Sequence, residues 1–188
     1  MKGKAGSIVK LAAVLCGFAL IATLILTVCN YVTADRISFL AAQAKDEAKR
    51  TVLPAADRFA DVNGEFSAPV KMVYEGKKGV DPVGYCVSVA PSGYGGAIEL
   101  MVGVDDAGKV TGVSVISMSE TPGLGAKAKD VSFYGQYTGK SEHISVIKSG
   151  IAKENEINAI SGATITSKAV TAGVNAALET VAGLKGGN

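Results

Sequence analysis

The chain of 188 residues is 48% apolar with a formal net charge of +2, so it is long enough for one globular domain and a short additional element. Because Lys2, Lys4 and Lys10 all precede the first apolar segment, the rest of the chain is nearly neutral and lacks the basic surface of a nucleic-acid-binding protein. The three cysteines lack metal-binding spacing and His143 is the only histidine, so we expect no disulfide framework, no metal site and no catalysis that needs two histidines.

An uncharged apolar segment covers residues 11–29. Its length of about 19 residues is close to the roughly 20 that a helix needs to cross the hydrocarbon of a bilayer. A cleaved signal peptide is the alternative, since small residues at 32–34 follow a basic start, but the segment is longer than the apolar part of most signal peptides. The basic residues before it predict a cytoplasmic N-terminus. Residues 1–33 are therefore expected to form a cytoplasmic tip and a single transmembrane helix in the cell membrane.

The next segment, residues 34–52, has apolar side chains at three- and four-residue steps and charges on the other side. This spacing predicts an amphipathic helix that leaves the membrane and is stopped by Pro54. We expect the two helices to form one broken rod that holds the domain near the lipid. The chain then divides into the anchor, a linker helix over residues 34–54 and an extracytoplasmic domain over residues 55–188.

Four short runs with β-like patterns follow the linker. They span residues 70–76, 84–91, 97–105 and 109–118. The turn sequence DDAG at residues 105–108 joins the last two runs, which predicts an antiparallel hairpin. Alternation of apolar and polar residues in the fourth run indicates a half-buried sheet.

Three further elements are expected in the last third of the chain. The sequence indicates a short helix over residues 126–134, and the run HISVIK at residues 143–148 predicts a strand. Apolar residues on one face predict a helix over residues 166–182. Helices and an antiparallel sheet in this order indicate an α+β fold.

Small and hydroxyl-bearing residues are concentrated directly before the C-terminal helix, in the segment NAISGATITSKAV at residues 158–170. They are Ser161, Gly162, Ala163, Thr164, Thr166 and Ser167. The unpaired N–H groups and the dipole of a helix N-terminus favour an anion such as phosphate, and hydroxyls can donate hydrogen bonds to it. A simple helix cap formed by Thr164 or Thr166 is the alternative, and on this segment alone it is favoured because caps are far commoner.

A second glycine-rich segment, SETPGLGAKA at residues 119–128, directly follows the fourth β-like run. By itself, this segment indicates only a tight turn into a helix. Because this segment occurs in the same chain as residues 158–170, the two together favour a more specific interpretation than a helix cap.

With these two segments the chain resembles the FMN-binding domain of the G subunit of the Rnf ion-translocating ferredoxin:NAD oxidoreductase. That family is related to the C subunit of the sodium-translocating NADH:quinone reductase. The resemblance covers nearly the whole chain and rests on features that occur in one order. They are the N-terminal span, VLP at 52–54, GYGG at 93–96, ETPGLG at 120–125 and SGATITS at 161–167.

The resemblance implies that a flavin transferase joins FMN through its phosphate, as an ester, to the hydroxyl of Thr166. It also implies that the ETPGLG loop contacts the isoalloxazine ring. The candidate cofactor-binding residues are then Thr166, Ser161, Gly162, Ala163, Thr164, Ser167, Glu120, Thr121, Leu124 and Gly125. No catalytic acid–base pair and no metal ligand is expected in this subunit, because the flavin carries the redox chemistry.

Two positions depart from the family pattern. Asn158 stands where the flavin attachment motif usually has an aspartate, so attachment would be slower or incomplete if the transferase needs that carboxylate. Met118 stands where the family often has a histidine, and any hydrogen bond from that histidine is lost.

The function implied by the resemblance is that of a membrane-anchored electron-transfer subunit whose FMN-binding domain covers residues 55–188. Its complex would couple electron transfer between ferredoxin and NAD to sodium or proton translocation, with other subunits, the flavin transferase and the membrane as partners. One alternative is the C-type subunit of the quinone reductase or a free-standing extracytoplasmic flavin carrier. Another is an anchored non-redox binding module in which SGATITS is only the start of a helix.

Overall fold

The computed structural model describes residues 2–186, which begin with one long helix, α1 (Lys2–Val52). The helix is continuous through both predicted segments, so the expected break between them is wrong. It ends two residues before Pro54, which has no N–H to continue it. Within the described residues, α1 is the one helix long and apolar enough to cross a membrane, with a mean hydropathy of 2.6 in its most apolar window.

The chain divides into two compact units, Met1–Gln43 and Ala44–Asn188. The last turns of α1 therefore belong to the second unit, although the sequence assigns them to the linker. Ala48 and Val52 are buried there against Cys86 and Met101 of the sheet. The hydroxyl of Thr111 also donates a hydrogen bond to the carbonyl of Val52.

Five strands form an antiparallel meander in sequence order. They are β1 (Arg58–Val62), β2 (Val70–Lys78), β3 (Asp81–Val89), β4 (Glu99–Asp105) and β5 (Val110–Ser117). The four predicted runs correspond to β2 through β5, and the last two form the predicted hairpin. Its turn needs Gly108, whose φ is +78°. No sequence pattern predicts β1, because as an edge strand it has only two partly buried residues, Phe59 and Val62.

Short elements connect the sheet to the C-terminal helix. They are a 3-10 helix (Gly125–Lys129), α2 (Val131–Tyr134), a second 3-10 helix (Gly135–Tyr137), β6 (Ser145–Ile147), β7 (Glu156–Asn158) and α3 (Thr164–Gly186). The single helix predicted over residues 126–134 is thus a 3-10 turn followed by one α-helical turn. The predicted strand at 143–148 is present as β6, which pairs in parallel with β7 in a separate small sheet.

The main core lies between α3 and one face of the meander. Alternation along β4 places Leu100, Val102 and Val104 in this core and Met101 in the smaller cluster on the opposite face. Val170 and Val174 of α3 are fully buried against it. The fold is therefore α+β, as predicted, and packing against β3 and β4 fixes the position of α3.

Candidate functional site

A cavity of about 520 Å³ opens beside the N-terminus of α3. Its volume lies within the roughly 300–1,000 Å³ typical of small-molecule sites. The wall combines the loop after β5 with the segment that begins α3. The lining residues are Tyr94, Glu120, Thr121, Leu124, Gly125, Gly162, Ala163, Thr164, Ile165 and Thr166. The structure therefore brings together the two glycine-rich segments at residues 119–128 and 158–170.

The loop after β5 is a compact turn stabilised by its own backbone. The N–H groups of Leu124 and Ala126 both donate to the carbonyl of Thr121, each at 3.2 Å. Gly123 supplies the positive φ, +77°, that this turn requires. The turn carries Glu120 and Leu124 to the same cavity as the first turn of α3.

The central contact of the cavity wall joins Thr166 and Glu120. The hydroxyl of Thr166 donates a hydrogen bond of 2.7 Å to Oε2 of Glu120. The other carboxylate oxygen, Oε1, accepts the N–H groups of Tyr94 at 2.8 Å and Gly95 at 3.0 Å. Thr166 is only 1% exposed and Glu120 only 8% exposed. The carboxylate is therefore held at both oxygens, and one of its three donors is the threonine hydroxyl.

Glu120 is a buried carboxylate with hydrogen-bond donors and no paired cation among the described residues. Burial by itself raises the pKa of Glu120, whereas the hydrogen bonds from Thr166, Gly95 and Tyr94 lower it, and their combined effect leaves the pKa below the usual range of a glutamate. The side chain is thus ionised at neutral pH and acts as a hydrogen-bond acceptor.

Gly125 keeps the threonine hydroxyl and the carboxylate free of a covering side chain. A Cβ at this position would lie 2.7 Å from Oγ1 of Thr166 and 2.5 Å from Oε2 of Glu120, too close for any side chain. The glycine therefore permits the close approach of the loop to the first turn of α3. Gly162 has a φ of +75°, which favours glycine before the helix starts.

The N-terminus of α3 provides donors to the cavity. The first intrahelical hydrogen bond runs from the N–H of Ser167 to the carbonyl of Ala163, at 3.0 Å. The preceding N–H groups, of Thr164, Ile165 and Thr166, have no acceptor within the part of the chain that the structure describes. All three residues line the cavity. The positive end of the helix dipole therefore favours an anion here.

Two of the predicted site residues lie away from the cavity. The hydroxyl of Ser167 accepts the N–H of Ile160 and donates to the carbonyl of Ala163, both at 2.9 Å, and the side chain is fully buried. It ties the loop to the helix. Ser161 is exposed and does not line the cavity. The other eight candidates all line it.

Two cavity residues, Tyr94 and Ile165, were not selected as candidates from the sequence. Tyr94 is 72% exposed and Ile165 is 56% exposed. The neighbouring candidate Leu124 is also exposed, at 45%. Apolar side chains that stay exposed beside a cavity provide a surface for a ligand. A signal was present for both, because Tyr94 belongs to the GYGG motif and Ile165 interrupts the hydroxyls of SGATITS.

The two positions that depart from the family pattern lie outside this cavity. Asn158, at the end of β7, exchanges two backbone hydrogen bonds with the side chain of Gln136 and lines a separate depression of about 220 Å³. Met118 is partly buried against the main core. Neither side chain is part of the cavity wall.

Comparison with known proteins identifies the relatives of this chain. Residues 93–179 match the FMN-binding domain family, and residues 1–52 match the RnfG N-terminal region. The G subunit of the Na⁺-translocating ferredoxin:NAD⁺ oxidoreductase complex of Acetobacterium woodii is 40% identical, with 90% of this chain and 89% of that protein aligned. The G subunit of the proton-translocating ferredoxin:NAD⁺ oxidoreductase complex of Clostridium ljungdahlii is also 40% identical, with 89% of this chain and 88% of that protein aligned.

A solved structure shares the fold. The crystal structure of Shewanella oneidensis NqrC aligns with a TM-score of 0.51 at 20% identity, over 65% of this chain and 65% of that one. At this identity the likeness concerns the fold alone.

Proposed function

Because this chain belongs to the family of G subunits of ion-translocating ferredoxin:NAD⁺ oxidoreductase complexes, we propose that it is an electron-transfer subunit with FMN covalently bound to Thr166. The complex would couple electron transfer between ferredoxin and NAD to translocation of sodium ions or protons, as the names of the two relatives state for them. The observation that carries the proposal is the Thr166 hydroxyl, which lies in a cavity wall at the N-terminus of a long helix.

The residues of the cavity fit both ends of FMN. The phosphate would be held by the unpaired N–H groups at the start of α3, where the helix dipole stabilises negative charge. The flat, largely apolar ring would be held by the exposed side chains of Leu124, Ile165 and Tyr94. Bound FMN supplies the one- and two-electron chemistry that no side chain of the cavity provides.

The ester to Thr166 gives the phosphate a fixed place at the helix N-terminus. A covalent link also suits a cofactor outside the cytoplasm, where a dissociated flavin would not be replaced. The lysines before the apolar segment support a cytoplasmic N-terminus, with α1 as a single membrane span and the flavin domain on the outer side. Other subunits of the complex and a flavin transferase are the partners that this function requires.

The proposal is tested by measuring whether flavin becomes covalently attached to the chain. Protein produced with a flavin transferase is expected to gain the mass of one FMN less one water and to fluoresce on a denaturing gel. Thr166→Ala removes the only oxygen proposed for the ester and is expected to abolish both signals. Thr164→Ala is the matched control, because it removes a hydroxyl from the same cavity wall, and it is expected to keep them.

The wild-type result decides between the two classes of function. An unmodified wild-type mass, with a transferase that modifies a known flavoprotein in the same cells, would contradict the redox assignment. A flavin mapped by peptide analysis to a residue other than Thr166 would retain the redox function and reject the attachment site.

A further inference from the structure

The four hydroxyls of residues 161–167 have different surroundings. Ser161 lies off the cavity, and the hydroxyl of Ser167 is occupied by the backbone of Ile160 and Ala163. Thr164 lines the cavity, but the side-chain hydrogen bonds of this segment in the described residues involve Thr166 and Ser167 and not the Thr164 hydroxyl. Thr166 also lines the cavity, and of the four its hydroxyl alone donates to a carboxylate. Both threonines line the cavity, and Thr164 is the more exposed of the two, so the carboxylate rather than exposure distinguishes Thr166.

We propose that Glu120 accepts the hydroxyl proton of Thr166 when the flavin is attached, and that it thereby selects this hydroxyl among the four. The inference rests on the proposed function and deepens it. It gives Glu120 a catalytic task in the maturation of the protein, separate from any contact with the bound ring.

The geometry is that of a nucleophile with an adjacent, oriented base. The 2.7 Å hydrogen bond from Thr166 to Glu120 lies within the roughly 2.6–3.2 Å required for proton transfer between such groups. The N–H groups of Tyr94 and Gly95 hold Oε1, so that Oε2 faces the hydroxyl. No cation competes for the carboxylate within the described ranges. Three neighbours thus fix the base in place before any donor of flavin arrives.

The space around the hydroxyl is also suited to attack. Gly125 faces both Thr166 and Glu120 without a side chain, so no Cβ covers Oγ1 of Thr166 from that side, and Thr166 lines the cavity although it is 1% exposed. The unpaired N–H groups of Thr164 and Ile165 lie in the same wall and can bind the oxygens of an incoming phosphoryl group. The nucleophile, its base and an anion site therefore meet at one point of the cavity.

The reaction requires a flavin nucleotide whose phosphoryl group is activated as a phosphoanhydride. An Oγ1–P bond forms on Thr166 while the P–O bond to the leaving group breaks, and the leaving phosphate monoester takes the electron pair of that bond. The Oγ1–H bond breaks as its proton passes to Oε2 of Glu120, because the hydroxyl becomes acidic while its oxygen bonds to phosphorus. No atom is oxidised or reduced. A base in this position typically accelerates such a transfer by about 10²–10⁴-fold.

The first experiment measures attachment rates on the purified full-length chain in detergent, produced without transferase. Purified flavin transferase and flavin adenine dinucleotide, which contains such an anhydride, are added in saturating amounts, and intact mass is followed over time. Glu120→Gln keeps the shape and an acceptor for the two N–H groups, but it cannot take the proton. We expect its rate to fall roughly 100-fold or more, with a melting temperature close to that of the wild type. Glu179→Gln, on the exposed face of α3, is the matched control and is expected to react at the wild-type rate.

A second experiment leaves Glu120 untouched, so it does not depend on how Glu120→Gln folds. Thr166→Ala retains Thr164 in the same cavity wall. Because the hydroxyl of Thr164 makes no hydrogen bond to a carboxylate among the described residues, we expect no mass increase on the time scale of the wild-type reaction and no flavin on Thr164 by peptide mapping. Thr166→Ser restores a hydroxyl at the selected position and is expected to react.

Three outcomes separate this inference from the proposed function. Wild-type-like attachment in folded Glu120→Gln would overturn the role of Glu120 and leave the flavin assignment intact. Rapid modification of Thr164 in Thr166→Ala would likewise overturn the selection of Thr166 by the carboxylate. Absence of any mass increase in the wild-type chain would instead contradict the proposed function itself.

Discussion

Two threonines of α3 are almost equally buried and yet have opposite surroundings. Thr166, in the first turn, donates to the carboxylate of Glu120 in a cavity wall. Thr171 donates to the carbonyl of Ser167, so it can only accept from the hydroxyl of Tyr137, at 2.8 Å. One hydroxyl donates to a charged acceptor in a cavity wall, and the other belongs to a neutral hydrogen-bond network inside the core. Burial alone therefore does not distinguish the hydroxyl that we propose to react from a structural one; the hydrogen-bond partner and the adjacent cavity do.

The same contrast extends along the helix. The start of α3 is expected to determine flavin attachment with little effect on stability, and its middle to determine stability with no effect on attachment. Variants in the middle of the helix test this division most strongly.

The largest expected effect is that of Asn175→Leu. The side chain of Asn175 accepts the N–H of Ile144 and donates to its carbonyl, both at 2.9 Å, in a buried environment. Leucine leaves both backbone groups without a partner, so the free energy of unfolding should fall by about 3 kcal/mol or more. Chemical denaturation of the full chain in detergent measures this loss.

Asn63→Leu, at an exposed loop position, is the control for the added apolar surface. The folded fraction of Asn175→Leu should still accept one FMN on Thr166. Loss of attachment in the folded variant would contradict the division of the helix into two regions.

A smaller loss of stability is expected for Thr171→Val. This change leaves the buried hydroxyl of Tyr137 without its acceptor and should lower the free energy of unfolding by about 1–3 kcal/mol. Flavin attachment should proceed at the wild-type rate. Thr180→Val is the matched control, because the hydroxyl of Thr180 bonds only to the helix carbonyl of Ala176, and it should change stability by about 0.5 kcal/mol or less. An attachment defect in Thr171→Val as severe as that of Thr166→Ala would contradict the distinction between the hydroxyls of Thr171 and Thr166.

The smallest expected effect is a pH dependence that arises from Glu120. A carboxyl whose pKa is lower in the folded chain than the ordinary value of 4.5 stabilises the fold above that pH. This contribution is lost as the pH falls through the folded-state pKa. The unmodified wild-type chain should therefore lose more stability below about pH 4.5 than Glu120→Gln does. Melting temperatures of both proteins at pH 7 and pH 3.5 measure the difference, and an equal loss in the two proteins would show that folding does not lower the pKa of Glu120.

Much of the fold was predictable from neighbouring residues. Alternation in β2 through β5 and the DDAG turn predicted four strands and their hairpin, and apolar spacing predicted α3. β1 was not predicted because only two of its five residues are partly buried, and β7 because three residues are too few to give an alternating pattern. A break between the apolar and the amphipathic segment was predicted, but α1 is continuous. A change in side-chain polarity does not interrupt the backbone hydrogen bonds of a helix.

For the candidate site, composition identified the two segments but could not rank their hydroxyls. Ser161, Thr164, Thr166 and Ser167 look alike in the sequence. In the structure the hydroxyl of Ser167 forms hydrogen bonds with the backbone of Ile160 and Ala163. Ser161 lies outside the cavity. These differences depend on which way each side chain points at the start of α3, a property that residue type does not contain.

The sequence by itself determined the apolar N-terminal segment, the order of the strands β2 to β5 and the position of the two glycine-rich segments, because each depends on residues that are neighbours along the chain. Only the tertiary structure decided that Glu120 meets Thr166, 46 residues further on. That contact requires β5 to deliver the loop to the point where packing against the sheet places the first turn of α3. Whether a hydroxyl lies beside a carboxylate depends on their positions in space, and the packed core fixes those positions rather than the local sequence pattern.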